Sequence, residues 1–314
     1  GGLATVMYTP KGQPLFMRRV NPFRLEDLAP DGVLGTGWHP AFPDGREFWV
    51  SIYFLSFHDG EFISVPGARP HWHNNDRLLS VPLPPGMRLL GVREHSAIAL
   101  WGSKVLGDVL RGPDNRGQNS LYPWEVGMRL DGLPPGDPGG SDPRVYPGSG
   151  PVTWRHDHSP LGVELYLGKL WLADFRFRRG QFQIRAEDAP LVNPFNPSDD
   201  GWLAITPDGE LVSASSSDPT LGYVPGNKIS TNWSANDNTF AFAFADLQPD
   251  TGLQIPPIVR ALGLAPSLYQ RGSVLVYKGN SDFLCAEAVG NYPGSIAGLG
   301  VPGEYMHVML VYRE

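Results

Sequence analysis

Residues 148–184 read GSGPVTWRHDHSPLGVELYLGKLWLADFRFRRGQFQI. Gly148-Ser149-Gly150-Pro151 predicts a turn, Val152-Thr153-Trp154 a strand-like step, and Ser159-Pro160 with Gly162 a second turn. From Phe175 onward the run alternates. Phe175, Phe177, Phe182 and Ile184 share one face across the Arg179-Gly180 turn, while Arg176, Arg178, Gln181, Gln183 and Arg185 take the other. Strict alternation about a glycine turn predicts a half-buried β-hairpin. The same stretch carries the charged knot Arg155-His156-Asp157-His158, so the best strand signal and the most suggestive polar cluster coincide.

Short strands and turns extend outward from this segment in both directions. Upstream, Glu47–Ser56 is a strongly apolar strand, and Asp59-Gly60 joins it by a hairpin turn to Glu61–Val65. Arg93–Leu106 is the convincing helix, with Ala97, Leu100, Trp101 and Lys104 or Val105 at helical spacing and Gly107 as its stop. Leu25–Leu28 is expected as a helical turn. Downstream, Trp202–Ile205 and Glu210–Ser213 flank a Pro207-Asp208-Gly209 turn, and Thr239–Ala245 alternates phenylalanine with small residues. Pro256–Gly263 predicts a short helix with proline at its start. Strands are expected at Ser273–Lys278, Phe283–Ala288 and His307–Arg313. Residues 1–34 read as an extended attachment arm that packs on a neighbour, in the same chain or another subunit. Residues 35–314 then form one domain with long loops at 66–88, 111–147 and 214–238.

Gly and Pro, 38 and 32 of 314 residues, exceed a fifth of the chain, yet 41% of it is hydrophobic, which predicts a loop-rich protein with a packed core. A net charge of −7, spread along the sequence, argues against a nucleic-acid surface. The single cysteine, Cys285, excludes an intrachain disulfide framework and any Cys-based zinc site, and is expected as a buried thiol. No apolar run approaches the ~20 residues of a membrane span, and no secretory leader is legible, so synthesis in a reducing cytoplasm is expected.

Imidazoles and a carboxylate at His156, Asp157 and His158 suit a metal such as zinc or manganese, but on a strand the two histidines share a face and Asp157 points away. A structural role is favoured, with Asp157 capping a turn and His156 hydrogen-bonded. Trp72, within His71-Trp72-His73, either stacks on a sugar ring or packs on the domain edge. No Gly-x-Ser-x-Gly elbow occurs, and Glu61, Glu94, Glu164 and Asp174 are isolated carboxylates in the sequence. The arginines at 176, 178, 179 and 185 form a basic stripe on the outer hairpin face, either solvated or a subunit interface. No catalytic residue, metal or cofactor is assigned.

The order of these motifs resembles the tail and virion proteins of bacteriophages that carry a formylglycine-generating-enzyme-like, C-type-lectin-like domain. Gly35–Phe42 (GTGWHPAF) resembles a THPAF-type loop, and Glu94–Trp101 (EHSAIALW) resembles that family's E-W-A-A-I-A-L-W helix. Arg111-Gly112 and Asn115-Arg116-Gly117 are similar to its R-G-N-N-N-Y-G loop, and Gly148–Asp157 (GSGPVTWRHD) is the nearest match. The departures matter equally. Positions that support a calcium site in the enzymes have become Leu165, Lys169 and Leu172, and a lysine opposes a cation that needs several oxygen ligands. The enzymes use a pair of cysteines, and this chain has Cys285 alone.

The resemblance therefore implies a β-rich α+β fold of the C-type-lectin-like kind without the oxidase chemistry. It implies a non-enzymatic virion component, in a tail tip or fibre, that presents loops to a host glycan or protein receptor. Trp72, Tyr122, Trp124 and Trp233 are the candidate receptor contacts, and Trp154, His156, Asp157 and Trp171 the structural hub. The implied partners are other virion subunits, with a homo-oligomer, a trimer on tail precedent, and neither nucleic acid nor membrane insertion. A purely structural collar, decoration or connector protein, and a degenerate metal-dependent enzyme of the same fold, are the alternatives.

Overall fold

The computed structural model describes residues 3–32, 34–70, 79–106, 111–113, 116–119, 122–164, 170–178, 181–192, 198–206, 208–214, 239–243, 257–262, 274–278, 283–289 and 309–313. Within them the chain is β-rich with few helices, and its ladders are antiparallel.

One sheet gathers both ends of the sequence. β1 (Ala4–Tyr8) and β2 (Pro14–Val20) form a hairpin, β2 pairs β3 (Phe48–Ser51), β3 pairs the terminal strand β14 (Leu310–Tyr312), and β14 pairs β6 (Met87–Leu89). β1 and β2, within the segment expected as an arm, lie on a sheet of their own chain, while Leu25–Leu28 of the same segment is helical. Alternation buries both faces. Leu15, Met17, Leu89 and Leu310 join one apolar cluster, while Val20, Phe48, Val50 and Val311 join the main core. The strand expected over Glu47–Ser56 is divided, with Phe48–Ser51 in the first sheet and Ser56 opening the next strand. Between β3 and β6, β4 (Ser56–His58) and β5 (Glu61–Ile63) form a hairpin about the expected Asp59-Gly60 turn. Its Asp59 and Gly60 both take positive φ, 48° and 83°, as a two-residue loop requires.

The second sheet has the order β10-β9-β8-β7-β13-β12-β11. The quoted stretch supplies its centre, β7 (Leu170–Arg178) and β8 (Gln181–Arg185), paired Phe175 to Ile184 and Phe177 to Phe182. β9 (Trp202–Ile205) and β10 (Leu211–Ser213) extend it on one side. β13 (Phe283–Val289), β12 (Val274–Lys278) and β11 (Thr239–Ala243) extend it on the other.

The main core lies where these layers meet the helices. Leu25 and Leu28 of α1 (Leu25–Leu28), Ala97, Ile98 and Leu100 of α2 (Val92–Leu106) and Ala261 of α3 (Pro257–Ala261) pack with Trp154, Val163, Ile184 and Ile205. The opening turns of α2 are buried almost all round: Arg93, Glu94 and Ser96 are as inaccessible as Ala97 and Ile98. Trp101, expected on the apolar face, stays 38% exposed, with its ring against Phe23.

Two further local expectations are corrected. Val152–Trp154 is a single 3₁₀ turn, not a strand, because Pro151 enters it at φ −68° and Arg155 N–H closes it on Val152 O. The hairpin is also not half-solvated at its end. Gln183, Ile184 and Arg185 are all buried, since β8 runs between β7 and β9 and then turns under the 186–190 loop. Arg185 therefore leaves the expected outer stripe. It donates to Pro190 O and Asp200 O and lies over the Trp202 ring. Carbonyls in a loop without a ladder need donors, and the guanidinium supplies them.

Candidate functional site

Around the 3₁₀ turn, backbone and side chains form one tightly bonded knot. Trp154 is 1% exposed, and its ring lies so close to Gly150 that a Cβ there would sit 2.0 Å from it, so no other residue fits. Glu164 is buried and takes the Gly148 N–H with both carboxylate oxygens, at 3.0 and 2.9 Å. Asp157 caps the following turn, accepting from Ser159 N–H and Oγ–H, and pairs at 2.8 Å with Arg18 of β2. His156 Nδ1 accepts the Val163 N–H at 2.8 Å, which leaves the ring's proton on Nε2. Burial, partly opposed by Asp157, lowers His156 to about 4. His158 sits at φ 51°, outside any strand, so the two histidines do not share a strand face.

A buried carboxylate, Glu125, joins the knot to the 111–147 loop, beside the Met128 N–H bond to Ser149 Oγ. Trp154 Nε1–H donates to Glu125 Oε2 at 3.0 Å, and Arg111 donates to Glu125 Oε1 at 2.7 Å. The Arg111 guanidinium in turn lies 3.7 Å from the centre of the Tyr122 ring, and Tyr122 meets Trp124 edge-on at 5.6 Å. Asn119 closes the same turn by accepting the Tyr122 N–H.

Trp124 stands in a turn closed by Glu125 N–H on Tyr122 O, and from Glu125 to Arg129 the chain runs on, bridging Gln118 through Val126 on one side and Val145 through Arg129 on the other. Its polarity is inverted. Glu125, Gly127 and Arg129 face in and are buried, while Trp124, Val126 and Met128 face out at 73%, 41% and 65% exposure. The inward charges explain this. Arg129 donates to the carbonyls of Pro134, Asp137 and Gly139 and to Asp131, and so folds the glycine- and proline-rich loop around one guanidinium. Its hydrogen bond holds Asp131 below the usual carboxylate range. The outward apolar side chains meet solvent more than core.

Of the expected contacts, the structure brings Tyr122 and Trp124 together on this strip. Trp72 and Trp233 lie outside the described residues, as do most of the 214–238 loop and the side chains of Trp171 and Cys285. Aromatic content does not single out Val126 and Met128, which complete the strip. The alternation Trp-Glu-Val-Gly-Met-Arg is visible in the sequence, but nothing in it says that the charged face points inward. Replacing Trp154 by Phe keeps the ring and removes its donor. We expect a loss of about 1–2 kcal/mol in denaturant unfolding, with faster exchange of the Asn119 and Gly127 amides than in the parent.

The carboxylates that are isolated in sequence are all engaged in the fold. Glu61 accepts from Thr9 Oγ1, and Glu94 and Asp174 meet at the start of α2. Glu94 accepts from Arg88 and, at 2.7 Å, from Arg313. Asp174 Oδ1 accepts the Val92 N–H at 2.7 Å, capping the helix from β7. Its other oxygen would lie 2.1 Å from a Cβ at position 91, so Gly91 is what lets the carboxyl approach. Burial and the neighbouring Glu94 raise the Asp174 carboxyl, against Arg93 and Arg88.

Among the described residues, no group of three or more His, Cys, Asp or Glu side chains has the arrangement to hold a metal, and no helix is long and apolar enough to cross a membrane. A scan against protein-family models finds no match, and a search of the curated proteins finds none either.

Proposed function

We propose that the chain is a non-enzymatic bacteriophage virion protein with a C-type-lectin-like, formylglycine-generating-enzyme-like domain that attaches the particle to its host. The observation that carries this reading is the Trp124, Val126 and Met128 strip. Three apolar side chains stand out from a turn and the segment after it, whose inward side chains, Glu125 and Arg129, are buried charges. Trp and Met give large contact area with, respectively, rigidity and adaptability. The loop that presents them is bonded through Glu125 to the motif that most resembles the phage family. Tail-borne trimers would repeat the strip, and repetition strengthens weak single sites.

The test is competition for adsorption. Excess purified protein should block infection by the parent particle, while Trp124→Ala with Met128→Ala should lose the block and stay within about 0.5 kcal/mol of parental stability. Failure of the unsubstituted protein to compete would favour a second reading, a purely structural collar, decoration or connector protein. One observation supports that alternative: β1 is an edge strand, and its last residue, Tyr8, is 65% exposed.

A further inference from the structure

A cleft of about 310 Å³ opens between residues 79–89 and the 185–191 segment, away from the Trp124 strip. One wall is aliphatic, with Leu79, Val81, Leu83, Met87 and Leu191 each partly buried. Its inner end is polar, formed by Arg93 and Asp174, which are 6% and 3% exposed. Among the described residues, both find only part of their hydrogen-bond partners. Arg93 has five N–H donors, and among the described residues its side chain makes one hydrogen bond, from Nη1 to Arg185 O at 2.8 Å. Asp174 uses Oδ1 on the Val92 N–H, its one hydrogen bond among those residues. The two opposite charges influence each other without forming an ion pair.

A buried guanidinium and a buried carboxylate, each with polar capacity to spare, lie beside an aliphatic wall. They call for a ligand that accepts at one atom, donates at the next, and carries an apolar tail. We propose that this cleft binds a free aliphatic α-amino acid, its carboxylate on Arg93, its ammonium on Asp174 and its side chain along Leu83, Met87 and Leu191. A simple anion is served less well, because Asp174 and the exposed Glu187 line the same space. A simple cation is opposed by Arg88, Arg93 and Arg185. The zwitterion alone satisfies both signs. The volume stands at the small end of ligand clefts, about 300–1,000 Å³.

Titration calorimetry on the whole chain tests the assignment with L-leucine, 4-methylpentanoate (which lacks the ammonium) and 3-methylbutylamine (which lacks the carboxylate). L-leucine should bind at least about tenfold more tightly than either analogue. Asp174→Asn should cost L-leucine about tenfold, while 4-methylpentanoate, relieved of a like charge, binds no more weakly than before. Equal binding of leucine and 4-methylpentanoate would overturn the proposal, as would no heat with leucine at millimolar concentration. The analogue series needs no variant, so it decides the matter even if Asp174→Asn does not fold. Because it does not measure adsorption, its failure leaves the attachment reading untouched.

Discussion

Glu94→Gln is expected to cost about 3–5 kcal/mol in denaturant unfolding. Glu94 is 0% exposed and holds two arginines from two different strands, Arg88 on β6 and Arg313 just after β14. Those strands are neighbours in the first sheet, so one carboxylate fastens α2 to the sheet edge and to the end of the chain. Removing its charge leaves two guanidinium groups, roughly a third and a quarter exposed, facing an uncharged amide. The pair of arginines lowers Glu94 from 4.5 to about 2, against the burial that would raise it. That displacement corresponds to about 3 kcal/mol of folding free energy, in line with the mutational figure. Because the folded-state value is depressed, this stability is present above 4.5 and lost as pH falls towards 2. The midpoint should move without a change in the denaturant slope. A loss below about 1 kcal/mol would mean that water already satisfied both arginines.

How much of this is legible in the sequence depends on the physics of each element. Alternation is a local signal, so the β7–β8 hairpin, the Asp59-Gly60 turn and the strand pair around Asp208-Gly209 are readable from neighbouring residues. The α2 helix is readable from its period, although the period does not show that Arg93 and Glu94 are buried. Burial of a charge depends on where a partner lies, and the partners of Glu94 are 6 and 219 positions away. The same distance hides the Glu125 link, whose donors come from Arg111 and Trp154. Tyr122 and Trp124 stand out as large aromatics in a long loop. Their setting, a segment with its polarity inverted, follows from Arg129 binding carbonyls that no sequence pattern pairs with it. The polar knot looks chemical in the sequence for a related reason. Histidine and aspartate attract attention as ligands, whereas in the fold their atoms face backbone N–H groups and Arg18.

Two imidazoles held by backbone contacts make the fold sensitive to mild acid. His39 is fully buried, its Nε2–H donating to Ala261 O at 2.9 Å and its Nδ1 accepting the Ala41 N–H at 3.1 Å. His156 likewise accepts at Nδ1 from Val163. A second proton on either ring would turn an acceptor into a donor aimed at another donor. Burial lowers both from 6.5 to about 4, partly offset by the Ala261 hydrogen bond and Glu94 for His39 and by Asp157 for His156, with Arg18 adding to the lowering of the latter. A histidine that is harder to protonate folded than unfolded contributes stability that is present above 6.5 and lost as pH falls towards 4. At about pH 5 the two together should cost about 4 kcal/mol, lowering the melting temperature by about 5–10 °C relative to neutral pH. Glu94 acts below 4.5, at the acid end of this window and beyond it, so melting curves taken at successive pH values separate the two effects. His156→Asn places an amide oxygen near the position of Nδ1 and cannot be protonated. His95, which burial also lowers to about 4, adds a similar loss, so the variant should remove about a third of the loss between neutral pH and about pH 5. An unchanged pH dependence in that variant would mean that the His156 contact with Val163 does not govern acid stability. The asymmetry is chemical: the same two rings that brace the GTGWHPAF loop and the Arg155–Val163 turn at neutral pH repel them once charged.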